Sequence, residues 1–261
     1  MIDQHSKFVS SIESRLQENG ELYGRFHLGT FVEGQALTVA NALRRTLLSE
    51  IPGFVVTDVQ IEGANHEFAT LPGIHESVLN ILLNIKRMAI TARCSELNKL
   101  LYLSSSVVKE NVNSEFQASI ALAGPGSVTA ETIKFPSLLA PVSPNHHIAT
   151  LSSTAELKMR LNIALLDPLQ VKKRQLNKVS HASVQKEKTS PIELVLDTIP
   201  KPVRQVNYSI YEVSTGQTEE YISLEVWTDG SIQPKEALTY ALEKLTRIFY
   251  EFTNLQMSNL N

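Results

Sequence analysis

Apolar side chains recur every three or four positions in three segments of the chain, a spacing that places them on one face of an α-helix. The first predicted helix covers residues 35–50 and ends at Pro52. The second covers residues 75–88, and the third begins near Pro234 and continues for about five turns. The apolar positions are Ala36, Val39, Ala40, Leu43, Leu47 and Leu48 in the first helix, Val78, Ile81, Leu82 and Ile85 in the second, and Leu238, Ala241, Leu242, Leu245, Phe249, Phe252 and Leu255 in the third.

Apolar and polar residues alternate in other segments, which predicts β-strands. The pattern indicates single strands over residues 21–31, 55–61, 206–213 and 220–227, and a set of short strands over residues 97–165. The residues predicted to share one face are Leu22, Gly24, Phe26 and Leu28 in the first strand, and Val55, Thr57, Val59 and Ile61 in the second. Together with the three helices, these strands predict an α+β fold.

The composition is typical of a globular protein. The 261 residues are 43% hydrophobic and 20% charged, with a formal net charge of -3. A protein that coats nucleic acid is usually basic, so DNA is not expected to be the main partner of the chain as a whole. Cys94 is the single cysteine, which excludes an intrachain disulfide. No apolar run approaches the ~18 residues that a membrane span needs.

Basic residues crowd the stretch from 167 to 191, which is poor in apolar residues. This pattern favours a solvated loop. The alternative is a nucleic-acid-binding regulator that contacts phosphates with residues 172–188, although no aromatic residue is interleaved there for base stacking. The cationic residues of the stretch are Lys172, Lys173, Arg174, Lys178, Lys186 and Lys188.

Signals for catalysis or a cofactor are weak. His66-Glu67 matches the first half of a zinc-binding His-Glu-x-x-His helix, but Thr70 occupies the position of the second histidine. A small metallo-hydrolase using His66 and Glu67 is therefore a second, less favoured alternative. No two of the five aspartates are close in sequence, as two-metal nucleotidyl transfer would usually require. We predict no catalytic residue, no metal and no cofactor.

The apolar helix stripes and one arginine pair could each serve either the chain's own fold or a partner protein. The apolar stripes of the first and last helices fit an intrachain core, or an obligate interface with another chain, which resembles a core cut in half. The adjacent pair Arg44-Arg45 lies beside the first stripe. These arginines either face solvent or anchor a partner protein, since arginine is enriched at interface hot spots.

Five segments, in order, resemble signatures of the alpha subunit family of bacterial-type RNA polymerases. Residues Thr38–Leu48 are similar to its first-helix signature, and residues 66–74 with 81–86 are similar to the second. Residues 124–130 are similar to the third, and residues 202–208 and 224–231, followed by 234–238, complete the set. Short motifs at Tyr23–Phe26, Gly34-Gln35 and Gly73–Ser77 resemble plastid members more closely than bacterial ones, which implies a plastid-encoded protein.

The resemblance implies a discontinuous dimerisation subdomain with two long helices, at residues 8–55 and 200–256, and an inserted mostly-β subdomain at residues 56–199. A short tail, residues 257–261, would stand where the family has a C-terminal domain that binds DNA and activators. Two copies would pack through their first and last helices. The dimer-interface residues implied are Leu43, Leu47, Leu238, Ala241, Leu242, Leu245, Phe249 and Phe252.

The resemblance also implies a homodimeric scaffold that recruits the beta and beta-prime subunits, contacts DNA only through the complex and contains no catalytic residue. Arg44, Arg45, His66, Glu67 and Phe68 would face beta, and Val203, Arg204, Val206 and Asn207 would lie near beta-prime. The chain departs from the family pattern where Asp167–Lys172 replaces a Gly-Arg-Gly-Tyr segment, and where Ala40 replaces a glycine of the first helix.

Overall fold

A computed structural model describes residues 7–17, 20–93, 116–169, 171, 193–214 and 218–253. The elements in chain order are β1 (Phe8–Leu16), β2 (Leu22–Val32), α1 (Gln35–Ser49), β3 (Gly53–Ile61), α2 (Val78–Arg87), β4 (Ile90–Ala92), β5 (Phe116–Ala123), β6 (Gly126–Thr129), β7 (Leu139–Pro141), β8 (His147–Leu151), β9 (Glu156–Leu166), β10 (Glu193–Val195), β11 (Val203–Ser214), β12 (Thr218–Thr228) and α3 (Pro234–Thr253), with a 3-10 turn at Ala130–Thr132. The predicted mixture of helices and strands is confirmed.

The chain divides into two compact units. The first unit joins both ends of the chain, residues Met1–Ile51 and Lys201–Asn261, and the second contains Pro52–Pro200. The first is therefore discontinuous in sequence, with the second unit inserted between its two parts.

The first unit is built on a four-stranded antiparallel sheet in the order β1-β2-β12-β11, against which α1 and α3 pack. Gly24 and Phe26 of β2 lie on the face that meets α3. A Cβ on Gly24 would come within 2.7 Å of the Cβ of Pro234, so glycine is needed for this close approach. The buried residues of this face are Gly24, Phe26, Leu28, Ile222, Leu224 and Val226, as the predicted β2 alternation requires.

The second unit has a sheet in the order β5-β9-β3-β4-β7, with β10 also paired to β3, and a separate β6-β8 pair. Helix α2 closes its apolar core. It begins at Val78 rather than at residue 75, because the Ser77 hydroxyl caps it by accepting a hydrogen bond from the backbone N–H of Asn80.

The predicted face of β3 was partly wrong. Phe54 and Val56 belong to the core cluster together with Val59 and Ile61, whereas Val55 lies outside that cluster and Thr57 is half-buried. The pairing register with β9 shifts between Val56 and Asp58, a β-bulge that moves the following residues to the other face.

Several predictions fall outside the described residues: Cys94, the basic segment 172–188, Leu255 and the tail 257–261. Strand β1 was missed. It is one of the two edge strands of its sheet, and its residues are mostly exposed, so its sequence does not need to alternate. Across the described ranges, none of the helices has the length and apolar character needed to cross a membrane.

Candidate partner-binding surfaces

Helix α1 is fixed at its first turn by a carboxylate that lies far away in sequence. Gly34, which precedes the helix, has φ +83° and no side chain to cap it. The two carboxylate oxygens of Glu220 instead accept hydrogen bonds from the backbone N–H groups of Gly34 (3.0 Å) and Ala36 (3.2 Å). A negative charge is favourable at the N-terminus of a helix, so Glu220 replaces the missing cap.

The other end of α1 is tied to α3. The Lys244 ammonium lies 3.2 Å from a carboxylate oxygen of Glu50 and also donates a 3.2 Å hydrogen bond to the Glu50 carbonyl. Both side chains are largely buried, at 19% and 14% exposure. The C-terminal end of α1 is therefore held against the middle of α3.

The predicted dimer-interface residues separate into three groups by burial. Leu43, Leu47, Leu238 and Ala241 are buried by their own chain, which makes them core residues of the first unit. Leu242 and Leu245 are half-buried. Phe249 and Phe252 are 65% and 68% exposed. Residues of the same chain thus bury the apolar stripe of α3 along its first half only.

The second half of α3 is exposed all around its circumference. Every residue from 246 to 253 is exposed, and Ile248, Phe249 and Tyr250 point to three sides of the helix because successive residues are rotated by about 100°. Exposed aromatic residues in this number are unusual on the surface of a monomer and mark an interaction site. Leu37 and Leu48 add exposed apolar surface on α1.

The two arginines of α1 have different surroundings. The Nε of Arg44 donates a 3.1 Å hydrogen bond to the carbonyl of Val206 in β11. The side chain of Arg45 is exposed and forms no hydrogen bond or ion pair to any residue that the structure describes. Arg45 is therefore the arginine that is available to a partner.

The residues predicted to lie near beta-prime also divide. Arg204 and Asn207 are exposed, whereas Val203 and Val206 are 4% and 1% exposed and pack inside the first unit. A strand with one face on the core alternates in this way, except at the bulge between Val203 and Gln205. Of these four residues, only Arg204 and Asn207 expose side chains that a partner could contact.

His66, Glu67 and Phe68 lie on the loop between β3 and α2, in the second unit, and all three are exposed. Phe68 is 68% exposed, although the next residue, Ala69, packs against the core. Within the described ranges, no group of three or more His, Cys, Asp and Glu residues is arranged to hold a metal ion. The loop therefore presents an exposed aromatic residue on a backbone attached to the core.

Two acidic groups in the first unit, Tyr23 and Asp229, have raised pKa values. Burial, followed by a 3.0 Å hydrogen bond to Glu225, raises the pKa of the Tyr23 hydroxyl. Burial also raises the pKa of Asp229, although hydrogen bonds from Ser231 and the nearby charge of Arg204 act in the opposite direction. Asp229 lies in the turn before α3. Its Oδ1 accepts hydrogen bonds from the backbone N–H and from the hydroxyl of Ser231.

Sequence reasoning missed Glu220 and Lys244. Their partners Ala36 and Glu50 lie 184 and 194 residues away, respectively, and no local motif connects the two parts of the chain. One signal was present: Gly34 precedes α1 without a capping side chain, which indicates that a group from elsewhere must satisfy the first N–H groups.

Comparison with known proteins gives the family. A model of the RNA polymerase Rpb3/Rpb11 dimerisation domain matches residues 30–249. The DNA-directed RNA polymerase subunit alpha of Chlorella vulgaris is 40% identical, covering 98% of this chain and 98% of that protein. The proteins of the same name from Synechococcus sp. (strain JA-3-3Ab) and Cyanidium caldarium are 37% and 34% identical over 91% and 96% of this chain, which spans 64% and 72% of their lengths. The chain belongs to the family of DNA-directed RNA polymerase alpha subunits.

Proposed function

We propose that the protein is the homodimeric scaffold of a plastid-encoded RNA polymerase, on which the beta and beta-prime subunits assemble. The complex is a nucleotidyltransferase, and the alpha subunit itself is non-catalytic. The observation that carries the proposal is the exposed aromatic second half of α3. In this proposal, DNA is contacted through the complex rather than by this chain.

The first unit is the proposed dimerisation subdomain, close to the boundaries 8–55 and 200–256 expected from sequence. Phe249 and Phe252 of one copy would be buried by α1 and α3 of the other. Burial of one such side chain contributes about 1.5–3 kcal/mol. Association also costs several kcal/mol of translational and rotational freedom, so the whole exposed end of α3 must take part.

The proposed partner contacts flank this interface on the same unit. Arg45 on α1 and Arg204 with Asn207 on β11 offer exposed cationic and polar groups, and Arg44 links the two elements through Val206. In the second unit, Phe68 offers an aromatic anchor of the kind found at interface hot spots. One copy of the dimer would bind beta and the other beta-prime.

The relatives from Chlorella vulgaris and Cyanidium caldarium, two algae, support a plastid location, while the relatives from Synechococcus fit an origin in the cyanobacterial lineage. The plastid-like motifs at Tyr23–Phe26 and Gly73–Ser77 support the same assignment.

The test is to measure dimerisation and subunit recruitment with one pair of variants. Phe249→Ser with Phe252→Ser removes the two exposed phenylalanines at the end of α3. We expect this double variant to sediment as a monomer and to fail to co-purify with beta and beta-prime. The matched control is Tyr211→Ser, which removes an exposed aromatic residue from β11. A double variant that remains dimeric at wild-type concentrations would show that the interface lies elsewhere.

A further inference from the structure

The carboxylate of Glu76 connects the loop that presents Phe68 to β8. Its oxygens accept three hydrogen bonds from β8: from the Thr150 backbone N–H (2.6 Å), the Thr150 hydroxyl (3.0 Å) and Nε2 of His147 (2.9 Å). Glu76 immediately precedes the cap residue Ser77 of α2. One side chain therefore connects the end of the loop, the start of α2 and the strand β8.

The histidine in this cluster has defined donor and acceptor roles. Burial by itself would raise the pKa of Glu76, but the hydrogen bonds from Thr150 and His147 lower it overall, so the group is a carboxylate that can only accept. Nε2 of His147 must then carry the proton. In the neutral ring, Nδ1 is the acceptor, and it receives a 3.2 Å hydrogen bond from the Ser127 hydroxyl of β6. The cluster thus reaches from the loop across β8 to β6.

Backbone hydrogen bonds also attach the residues that precede Glu76 to β8 and to the turn after it. His75 N–H donates to the Thr150 carbonyl (3.1 Å), and Ser152 N–H donates to the Gly73 carbonyl (2.9 Å). Gly73 has φ +74°, and a Cβ there would come within 2.8 Å of the Ser152 hydroxyl, so this approach needs glycine. Ile74, between these two bonds, forms an isolated antiparallel bridge with Leu151 of β8.

The Phe68 end of the loop is attached to the same framework. Ala69 N–H donates to the His66 carbonyl (3.1 Å), and the Val78 N–H donates to the Ala69 carbonyl (3.1 Å). The turn that carries Phe68 is thus bonded directly to the first residue of α2. Val78 therefore links this turn to the segment that Glu76 attaches to β8.

We infer that Glu76 is a positioning residue for partner binding: through Thr150 and His147 it holds the loop from Glu62 to Ser77 so that Phe68 is presented to the beta subunit in a fixed orientation. An exposed aromatic anchor on a free loop loses backbone and side-chain conformational entropy when it binds, whereas an anchor on a fixed loop loses mainly side-chain entropy. Hydrogen bonds to a carboxylate are stronger than neutral ones, which suits a single side chain to this role. This inference rests on the proposed function, because it assumes that the loop binds beta.

The experiment measures the affinity of the dimer for purified beta subunit in five variants, one of which, Phe68→Ala, removes the aromatic anchor itself. Glu76→Gln removes the charge and one acceptor, and His147→Leu removes the donor at Nε2. His147→Gln restores a neutral N–H donor at a similar reach. Glu62→Gln is the matched control, since Glu62 lies on the same loop and is exposed, and its side chain makes a long 3.9 Å contact with Lys158.

We expect Glu76→Gln and His147→Leu to weaken beta binding about tenfold or more, which corresponds to the loss of one charge-assisted interaction. Glu62→Gln and His147→Gln should bind as the wild type does. Amide hydrogen exchange should become faster in Glu76→Gln over residues 62–77 only, with dimerisation unchanged. A purely structural role would instead accelerate exchange throughout the second unit.

The outcomes separate the two proposals. Wild-type dimer that fails to bind beta would overturn the proposed function and the inference together. Wild-type dimer that binds, while Phe68→Ala binds weakly and Glu76→Gln binds normally, would overturn the positioning role alone. Weak binding by His147→Gln, equal to that of His147→Leu, would also contradict it, since the restored donor should rescue the contact.

Discussion

The guanidinium Nε of Arg44 donates a 3.1 Å hydrogen bond to the backbone carbonyl of Val206. The bond joins the exposed side of α1 to β11, 162 residues later in the chain. A second bond on the same side, 2.8 Å from the Tyr208 hydroxyl to Oδ1 of Asn41, runs between the same two elements. Arg44, which is expected to face beta, and Val206, which is expected near beta-prime, are therefore in direct contact within the first unit.

The two arginines of α1 should consequently respond differently to alanine substitution. Arg44→Ala removes an intrachain hydrogen bond and should lower the free energy of unfolding by about 1 kcal/mol. Arg45→Ala should leave stability within about 0.5 kcal/mol, as is usual for an exposed site, and weaken co-purification with beta. Chemical denaturation and pull-down of the two variants in parallel measure both effects. Equal loss of stability in the two variants would contradict the separation of roles.

Glu220 should matter for the fold more than an exposed acidic residue beside the same helix end. Glu220 is 8% exposed and accepts from two backbone N–H groups, so Glu220→Gln leaves one of them poorly satisfied and should cost about 1–2 kcal/mol. Glu33→Gln makes the same change of charge at an exposed position next to α1 and should cost less than about 0.5 kcal/mol. Thermal unfolding of both variants measures this difference. Similar melting temperatures would argue against a role of Glu220 as the cap of α1.

Asp229 should make the stability of the first unit depend on pH. Its pKa in the folded chain is raised above the ordinary 3.8 by burial, so the protonated form favours folding. That contribution is complete below pH 3.8 and is lost as the pH rises through the folded-state pKa. At pH 7, Asp229→Asn should therefore be as stable as the wild type or more stable, by up to about 1 kcal/mol, because its Oδ1 can still accept from Ser231.

The control for this prediction is Glu212→Gln, which removes one negative charge from an exposed position on β11. Unfolding of the three proteins should be followed from pH 4 to pH 8. The difference between wild type and Asp229→Asn should grow with pH and level off, while Glu212→Gln should follow the wild type. A destabilised Asp229→Asn at pH 7 would show that the ionised carboxylate is favourable in the folded chain.

Local periodicity was sufficient to locate α1 and α3, since α1 and the first half of α3 have one face on a core and the other in solvent. It also located β2, in which Gly24, Phe26 and Leu28 are buried at every second position. It failed for β1, an edge strand with little buried surface, and for the inner face of β3, where a bulge after Val56 changes the alternation. Neither failure is visible in composition, because both depend on which strand lies alongside.

The sequence by itself determined the apolar ridge on the last helix, but only the tertiary structure decided which part of it is already used. Leu238 and Ala241 are covered by the chain's own sheet and α1, whereas Phe249 and Phe252 extend beyond them. The same holds for Val206, Glu220 and Glu76, whose roles come from partners 71 to 186 residues away in the chain. Burial and long-range hydrogen bonds depend on which residues are neighbours in space. The sequence pattern predicts only the side of a helix or strand on which a residue lies.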